Sequence, residues 1–542
     1  MAAGNVASGA FATVAEGGER GRSERLVAAV GHLLVAVAAT APLAWHAGRL
    51  PLGDETTPTV PLFNLWTLEW TADRLPRGFA GWWDAPIFWP QRGAFAFSEP
   101  QPLTGAAFAV VRPLTGSAGA YAALLISTLA LNGIAGAALA RRLGAGGAAA
   151  FLTGVLAQAL PFTFQQSGVL QLTALWPLLA ATAALVAWLH EPRVRHAALL
   201  GLAVVAAVGT SGYYALLFGV GLVLAAPFAV DRTWLASWRL RLAGIAAAVA
   251  TVAVLAGPVA IGQQERLAGH RWLDATILAG SASWSQWAPG GTYWPGYPLV
   301  GLAAVGVVLG RRQRATRVIA ALAAASLLAS LGSRLSIVGV RPWPFLVDHV
   351  DAVARLRSPF RAAAVVQLAL VGMAVPAVTW LWSRRSPALR AAAPALVVVA
   401  LLTSGLGAGR LVDPPPGPGA WATWLDDHPD GAAVAFLPFA PGGQVEDFAP
   451  TTSRMLQNLH TGHPMVNGYS GFFPPDHAEL RDALSSFPDE RSLAAFRARQ
   501  VRYVVIAVAA YDSFDRRLSR RLGITTVVHD RDGYLLRLPD RP

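Results

Sequence analysis

Long apolar segments recur along this chain and constrain its fold more than any other feature. Hydrophobic residues make up 54% of its 542 residues and charged residues only 14%, and the mean hydropathy is +0.44. Runs of about 20 apolar residues are long enough to cross the hydrocarbon core of a bilayer as helices. Because a helix satisfies its own backbone hydrogen bonds there, the sequence predicts a mainly α, polytopic transmembrane helical bundle.

Arginine clusters between the apolar runs predict the topology. The formal net charge is +12, and the basic residues other than His are all Arg, grouped in short clusters such as Arg141-Arg142 and Arg384-Arg385. These clusters fall at every second junction, which is typical of cytoplasmic loops rather than of a nucleic-acid-binding surface. We therefore expect about eleven spans, with the amino terminus in the cytoplasm and the carboxyl terminus outside. The first span, with no small-residue cleavage site after it, predicts a signal anchor.

The predicted organisation has four parts. They are a disordered cytoplasmic tail (1–24), a transmembrane domain (25–410) with an outer loop (49–102), a Pro/Gly linker (411–419) and a small extracytoplasmic α/β domain (420–542). In the last part, residue patterns predict strands at 432–437 and 501–506 and helices at 476–487 and 490–499. The Arg-only, Ala/Gly-rich composition is typical of a GC-rich bacterial genome, so the expected location is the bacterial cytoplasmic (inner) membrane.

The outer loop is the first long polar segment after an apolar run. It opens with Gly53-Asp54-Glu55-Thr56, closes with Phe97-Ser98-Glu99-Pro100, and is rich in Trp between them. Apolar spacing over 62–73 predicts an amphipathic helix at the membrane interface, where Trp is favoured. The run 103–111 is too short to cross a bilayer and predicts a half-buried approach helix.

Asp54 and Glu55 are the candidate catalytic residues. Two adjacent acids can simply solvate the end of a span, but Gly53 permits tight backbone geometry before them. If the donor is a sugar on a lipid phosphate, the leaving group is already an anion, and one carboxylate must deprotonate the acceptor hydroxyl as general base. Asp54 is the predicted base. Glu55 and Glu99 are accessory candidates that would position the acceptor or, together with Asp54, hold a divalent cation such as Mg²⁺ or Mn²⁺.

Arg357 and Arg361 are the candidate phosphate ligands. They flank Ser-Pro-Phe in a loop that the predicted topology places outside, where Arg needs a reason other than orientation. A guanidinium pair can bind a phosphate bidentately, whereas lipid-headgroup contact and snorkelling at a helix start are the alternatives. Gln171 lies with Gln165 and Gln166 at the outer rim between two spans, where it would contact substrate or bond neighbouring helices.

Trp89 and His463 complete the predicted substrate-binding set. Trp89 belongs to the aromatic segment of the outer loop, which suits a lipid-borne substrate. His463 forms an H-x-x-H spacing with His460, and this spacing alone does not indicate a metal. This segment would either pack the C-terminal domain against the membrane domain or cap the active-site cavity.

Several signatures of other functions are absent. The chain has no Cys, which excludes disulfides, thiolate metal sites and a thiolate nucleophile. It has no G-x-x-x-x-G-K-[ST], which excludes an ATP-driven pump with its motor in this chain, and it has neither H-E-x-x-H nor a convincing G-x-S-x-G.

Over roughly 25–410 the chain resembles the GT-C superfamily of integral-membrane glycosyltransferases, which use polyprenyl-phosphate sugars. Asp54-Glu55, in the first outer loop, is similar to the Asp-Glu pair of protein O-mannosyltransferases, in which the acid is the catalytic base. The runs GDETTPTVPLFNLWTLEW, PIFWPQRGAFAFSEPQPLTG, RLRSPFR and LHTGHPMVNGYSG look more specifically like a poorly characterised bacterial multi-pass group with a C-terminal outer domain. In that group we expect a His after the third span, where this chain has Gln165 to Gln171 and no His.

The resemblance implies inverting transfer of a hexosyl or pentosyl group from a polyprenyl phosphate to a glycan, lipid or protein acceptor on the extracytoplasmic face. Membrane lipids are further expected partners, and nucleic acid is not an expected partner.

The residues themselves leave two alternative functions open. A transporter or flippase of a lipid-linked or hydrophilic solute predicts charges within the spans or paired broken helices, of which few are visible. A non-catalytic receptor or envelope-assembly protein would use the C-terminal domain as its binding module.

Overall fold

The computed structural model of the chain describes residues 23–407, 409–511 and 516–539. About 65% of it is helical, as the composition predicts. Residues 1–22 of the predicted cytoplasmic tail lie outside the described residues, and residue 23 is already helical.

Helices dominate the chain up to residue 402. They are α1 (23–39), α2 (Ala41–Trp45), α3 (Thr59–Arg74), α4 (Pro102–Arg142), α5 (Gly147–Gln158), α6 (Pro161–Gln165), α7 (Leu170–Thr173), α8 (Trp176–His190), α9 (Val194–Thr210), α10 (Gly212–Ala225), α11 (Arg232–Ala236), α12 (Trp238–Leu255), α13 (Gly257–Arg266), α14 (Asp274–Ala279), α15 (Trp284–Trp287), α16 (Tyr297–Gly310), α17 (Arg314–Ser330), α18 (Pro342–His349), α19 (Asp351–Ala354), α20 (Ala363–Trp382) and α21 (Pro387–Leu402).

Within the described residues, five helical stretches are long and apolar enough to cross a membrane. They are Pro102–Arg142, Leu170–His190, Gly212–Ala229, Trp238–Leu255 and Pro359–Trp382. Helices α5, α9, α16 and α21 are apolar but shorter. The chain is therefore a membrane-integral protein. Each apolar run from which a span was predicted overlaps one of these helices, α1 or α17. The number of crossings and their orientation stay predictions.

The bundle has a central and a peripheral layer. The most apolar windows of α8 and α20 are 83% and 78% buried inside the protein, whereas that of α12 is only 11% buried. An apolar helix that stays this exposed is typical of a surface that contacts lipid or another protein. Helices α8 and α20 therefore form the core, and α12 lies at the periphery.

Helix α4 is broken into two legs at Gly116. Its φ of 73° lies in the left-handed region, and Pro113 just before it lacks the N–H that would continue the helix. The predicted approach helix 103–111 is in the first leg, and the second leg ends at the Arg141-Arg142 cluster. The first leg exposes Leu114 on one side, and Arg112 on it pairs with Glu69 of α3, so it is half-buried.

Helix α3 lies where an interfacial amphipathic helix was expected, but its environment differs. Of its 16 residues, 13 are buried, including Trp66 and Trp70, which are 1% and 3% exposed. Helix α4 covers one side and the C-terminal part of the chain covers another. The expected amphipathic helix with one open face is therefore wrong, because the apolar spacing of one face cannot reveal a second protein surface that packs on the other. The position of α3 at the membrane interface stays a prediction.

A short strand pair connects the start of the outer loop to the predicted linker. Strand β1 (Leu50–Pro51) pairs antiparallel with β2 (Leu411–Val412). The ion pair of Arg49 with Asp413, at 2.7 Å, extends this contact. The predicted linker 411–419 therefore begins as a strand fixed to the outer loop, and only the part beyond β2 is without regular structure.

The C-terminal part of the chain contains a four-stranded mixed sheet. Its strands are β3 (Ala433–Leu437), β4 (Val501–Ala507), β5 (Thr525–His529) and β6 (Gly533–Arg537), in the order β3-β4-β6-β5. Strands β3 and β4 are parallel and the other pairs are antiparallel. The helices here are α22 (Ala420–Asp427), α23 (Ala449–Gln457), α24 (His477–Leu484), α25 (Glu490–Ala498), α26 (Val508–Tyr511) and α27 (Arg516–Arg521).

The two predicted strands and two predicted helices of this part correspond to β3, β4, α24 and α25. Strands β5 and β6 were not predicted. Strand β5 is largely solvent-accessible and therefore carries no buried apolar run that the sequence pattern could reveal.

An aromatic cluster joins the outer loop to the C-terminal part. Loop residues Trp66, Trp70, Trp82, Phe88, Phe95 and Phe97 pack in one core with Trp421, Phe436, Phe448, Met465 and Tyr469. Full burial of each such side chain stabilises the folded state by roughly 1.5–3 kcal/mol. The cluster therefore fixes the C-terminal part over the outer loop.

We expect Gly53→Ala to destabilise the protein and Gly48→Ala to leave its stability unchanged. Gly53 has a φ of 57°, which costs an L-residue about 1–2 kcal/mol. An added Cβ would also lie 2.6 Å from the carbonyl oxygen of Gln165. Gly48 has no neighbour within 4 Å of such an atom. Thermal unfolding of the two purified variants measures their stabilities. Equal unfolding midpoints would contradict the requirement for glycine at position 53.

Candidate active site

The acid pair lies in a tight turn packed against the segment between α6 and α7. The N–H of Asp54 donates to the carbonyl oxygen of Gln165 at 3.0 Å, and the N–H of Glu55 donates to that of Leu52 at 3.0 Å. An added Cβ on Gly168 would overlap the backbone of Leu52. Backbone contact this close fixes the position of both acids without using their side chains.

The two acids differ in their surroundings. Asp54 remains accessible to solvent, and its partial burial raises the pKa of its carboxyl above the ordinary value. Glu55 is half-buried, and burial raises the pKa of its carboxyl as well, while the charges of Arg361 and Arg357 act in the opposite direction. Both carboxyls therefore hold a proton more readily than a free carboxyl does, and Glu55 is the one that faces the two guanidinium groups.

Aromatic rings support the two arginines. The guanidinium carbon of Arg361 lies 4.5 Å from the ring centroid of Tyr213, and that of Arg357 lies 5.2 Å from the ring of Trp272. The Tyr213 hydroxyl also accepts the backbone N–H of Arg357 at 2.9 Å. The Nε of Arg361 is buried and has no hydrogen-bond partner among the described residues. This Nε is a donor available to a bound anion.

Glu99 and Gln171 lie beside the arginines. Glu99 accepts the Ser211 hydroxyl at 2.8 Å and the Tyr213 N–H at 2.9 Å on one oxygen, and the Gln171 amide at 3.3 Å on the other. The charges of Glu99 and Arg361 both act on Tyr214, next to Tyr213. The structure therefore brings Glu99 and Gln171 to the same neighbourhood as the arginines, with Glu99 holding the turn that carries Tyr213.

The side-chain oxygen of Gln171 is buried and unpartnered within the described part of the chain. At 8% exposure it is the kind of buried polar atom that normally finds a partner. The missing partner marks Gln171 as a residue that can accept a hydrogen bond from a ligand.

Trp89 and His463 lie in a different place from the other predicted site residues. Both line a cavity of about 360 Å³ between the outer loop and the C-terminal part, which none of the acids or arginines above lines. The His463 ring is buried, with Nδ1 2.7 Å from the carbonyl oxygen of Ala432 and Nε2 3.1 Å from that of Leu425. Both ring nitrogens are thus engaged inside the C-terminal part, and His463 packs there rather than facing Glu55.

Residues that the sequence analysis missed approach the acids from the C-terminal part. Glu446 accepts the Thr56 hydroxyl at 2.9 Å. Tyr469 is buried, which raises the pKa of its hydroxyl, and the charges of Arg357 and Glu55 act on it. Tyr469 lies in the run LHTGHPMVNGYSG, so the motif signalled a functional segment but not which of its residues reaches the acids.

Two of the three candidate ligands for a divalent cation, Glu55 and Glu99, are engaged with protein groups. The oxygens of Glu99 already accept three protein hydrogen bonds, and Glu55 faces the charges of Arg357 and Arg361. In the described ranges no three acids or histidines lie together as metal ligands would. The arginines would repel a cation at Glu55, so the structure supports charge stabilisation by guanidinium groups instead.

Glu55→Gln is expected to raise the melting temperature relative to the wild type, by a difference that grows with pH. The folded chain holds the Glu55 proton more tightly than the unfolded chain, so the free energy of unfolding falls as pH rises from the ordinary carboxyl range through the raised pKa. The uncharged variant does not lose this stability. Melting temperatures measured from pH 4 to 8 test this.

Glu446→Gln is the matched control with the opposite sign. Hydrogen bonds from its own backbone N–H and from Thr56 lower the pKa of the Glu446 carboxyl. The charged Glu446 carboxylate stabilises the folded chain at pH values above the pKa that this group has in the unfolded chain. This stabilisation is lost as the pH falls through the lower pKa of the folded chain. If the melting-temperature difference from the wild type changed with pH in the same direction for both variants, the raised pKa assigned to Glu55 would be contradicted.

Comparison with known proteins finds solved structures that resemble this chain in fold. No family model matches the sequence, and no curated protein matches it. The chain is similar to the crystal structure of ArnT from Cupriavidus metallidurans bound to undecaprenyl phosphate, with 15% identity, 95% of this chain and 98% of that chain covered, and a TM-score of 0.52. The apo state of the same ArnT gives 15% identity, 94% and 98% coverage, and a TM-score of 0.48.

A third solved structure is the Archaeoglobus fulgidus oligosaccharyltransferase tethered with an acceptor peptide. It gives 12% identity, 89% coverage of this chain and 68% of that chain, and a TM-score of 0.48. The likeness to undecaprenyl-phosphate-bound ArnT extends over nearly the whole of both chains. This chain therefore has the fold of ArnT from Cupriavidus metallidurans, which confirms the fold expected from the sequence.

Proposed function

We propose that this chain is an integral-membrane glycosyltransferase that moves a sugar from a polyprenyl-phosphate donor to an acceptor hydroxyl on the extracytoplasmic face, with inversion. The observation that carries the proposal is the pair of aromatic-backed guanidinium groups, Arg357 and Arg361, whose charges act on Glu55, the neighbour of Asp54 in the acid pair. The ArnT-like fold supports a donor of this class.

In the proposed reaction the acceptor oxygen attacks the anomeric carbon of the sugar while the bond from that carbon to the phosphate oxygen breaks. The acceptor proton passes to the carboxylate of Asp54 as general base. The polyprenyl phosphate leaves as an anion and therefore needs no general acid. Arg357 and Arg361 stabilise its charge, and the unpartnered Nε of Arg361 is a donor for one of its oxygens.

The difference between the two acids supports the assignment of Asp54 as base. In an inverting displacement the nucleophile and the leaving group lie on opposite sides of the sugar ring, so the base has to be separate from the phosphate site. Arg357 and Arg361 act on Glu55, whereas burial alone shifts the pKa of Asp54. In the proposal Glu55 orients the arginines and Asp54 receives the proton.

The membrane arrangement is part of the proposal. Residues 25–410 form the transmembrane domain with about eleven spans, and the region 420–542 is an extracytoplasmic α/β domain after the 411–419 linker. Arg clusters at alternate junctions support a cytoplasmic amino terminus in a bacterial inner membrane. Contact of the C-terminal part with the acidic loop, through Thr56 and Glu446, supports placing both on one side of the membrane.

Asp54→Asn is expected to lower transfer by about 10²–10⁴-fold, because the amide cannot accept the acceptor proton. Incubating membranes with labelled polyprenyl-phosphate sugars and following label into acceptors measures this. Asp426→Asn is the matched control, since Asp426 is an exposed acid on α22 outside the site. Undiminished transfer by folded, inserted Asp54→Asn would refute the assignment.

Arg361→Lys is expected to weaken binding of undecaprenyl phosphate by roughly tenfold or more. A hydrogen bond to a charged group contributes about 1.5–3 kcal/mol, and Lys cannot reproduce the stacked, planar donor set. Arg266→Lys is the control, because Arg266 is also stacked on a ring, that of Trp83, at 5.1 Å. Titration of the purified variants with undecaprenyl phosphate measures the affinity, and equal losses in both would contradict a phosphate site at Arg361.

A further inference from the structure

Two neighbouring cavities lie where the outer loop meets the C-terminal part, away from the acid pair. The first has a volume of about 360 Å³, within the range of about 300–1,000 Å³ typical of ligand sites. The second has about 200 Å³. Trp89, Gln91 and Arg92 line both, so the two cavities share one wall.

Backbone hydrogen bonds hold this shared wall rigid. The N–H of Trp89 donates to the carbonyl oxygen of Met465, and the N–H of Met465 donates to that of Pro86, both at 3.0 Å. The indole N–H of Trp89 donates to the carbonyl oxygen of Arg499 at 2.9 Å. The indole plane of Trp89 is therefore fixed between the two cavities before any ligand binds.

Charged groups with free hydrogen-bonding capacity project around this wall. The Arg92 side chain is exposed and has no hydrogen-bond or ion-pair partner in the ranges described. Asp84 accepts the Gly93 N–H on one oxygen at 2.9 Å, which leaves its second oxygen for a ligand. The guanidinium of Arg74 stacks on Trp70 at 4.1 Å, and its Nε is ion-paired with Asp73 at 3.2 Å, so Arg74 contributes charge to the wall rather than a free donor at Nε.

The second cavity contains a buried and unpartnered histidine nitrogen. His477 is 8% exposed, and its Nε2 has no hydrogen-bond partner among the residues that the structure describes. Burial lowers the pKa of His477 to about 4, so the ring is neutral at pH 7 and can donate or accept one hydrogen bond there. A buried polar atom of this kind calls for a partner, and the cavity it lines has room for one.

We propose that these two cavities form a saccharide-binding site, separate from the acid pair, with Trp89 as the central platform and Asp84, Arg92 and His477 as hydrogen-bonding partners. A sugar presents a C–H face to an indole ring and a set of hydroxyls that both donate and accept. A carboxylate, a guanidinium and a neutral imidazole together match such hydroxyls, whereas a wholly apolar ligand would leave them unpaired. The carboxylate of Asp84 opposes a small inorganic anion in the first cavity, and the guanidinium of Arg92, which lines both cavities, opposes a metal ion.

Binding of oligosaccharides to the purified full chain in nanodiscs tests this site. The probe is an array of neutral and acidic bacterial oligosaccharides of two to six sugars, followed by calorimetric titration of those retained. The wild type is expected to bind at least one of them saturably. Arg92→Ala should weaken that binding at least tenfold, and because Arg92 is exposed and unpaired its replacement leaves the fold intact.

Two control variants separate this site from general effects and from the proposed active site. Arg341→Ala removes an exposed Arg outside both cavities and should leave binding unchanged. Glu55→Gln should bind the saccharide as the wild type does, whether or not the chain transfers sugar. The inference is overturned if no oligosaccharide binds, if Arg92→Ala binds like the wild type, or if Glu55→Gln loses binding as strongly as Arg92→Ala. Binding of inorganic phosphate to these cavities in the absence of any saccharide binding also overturns the inference.

Discussion

Close backbone contact among three distant glycines is the constraint on which the acidic loop depends. Gly53 forms a bridge with Gly409, in the segment that follows α21, and packs against Gly168 between α6 and α7. Side chains at these positions would collide with neighbouring backbone. The loop that carries Asp54 and Glu55 is thus held from two sides by main-chain atoms, which leaves both carboxylates free for chemistry.

This anchoring places charged groups where burial makes their interactions strong. Glu55 lies half-buried with Arg357 and Arg361 acting on it, and Tyr213 and Trp272 back the two arginines. In surroundings with little water, guanidinium groups that are already oriented stabilise a developing phosphate charge better than mobile surface groups would. Glu99 contributes to the site indirectly, because its carboxylate accepts the Ser211 hydroxyl and the Tyr213 N–H and so holds the turn that carries Tyr213.

The aromatic cluster makes the C-terminal part a component of the site rather than an appendage. It brings Glu446 to Thr56 and Tyr469 into the field of Arg357 and Glu55. The same contact creates the two cavities around Trp89. One packing interface therefore supports both the proposed transfer site and the proposed saccharide site, and a glycan held at the second would lie on the same face of the protein as the first.

The sequence by itself determined the helical membrane fold and the acid pair. Apolar runs of this length have few foldable alternatives, and their helices appeared where they were expected. The acid pair was visible because its two carboxylates are adjacent in the sequence and follow directly after Gly53. The runs at β3 and β4 were also predicted, since buried strands have a local apolar signature.

Only the tertiary structure decided which of the candidate residues meet. It placed Glu55 within the field of Arg357 and Arg361, it paired Gln171 with Glu99, and it placed Trp89 and His463 at another cavity. Contacts between residues hundreds of positions apart leave no periodic signal in one sequence, because they depend on how whole helices and the C-terminal sheet pack. For the same reason the burial of α3 on a second face and the engagement of both His463 ring nitrogens could not be derived from local patterns.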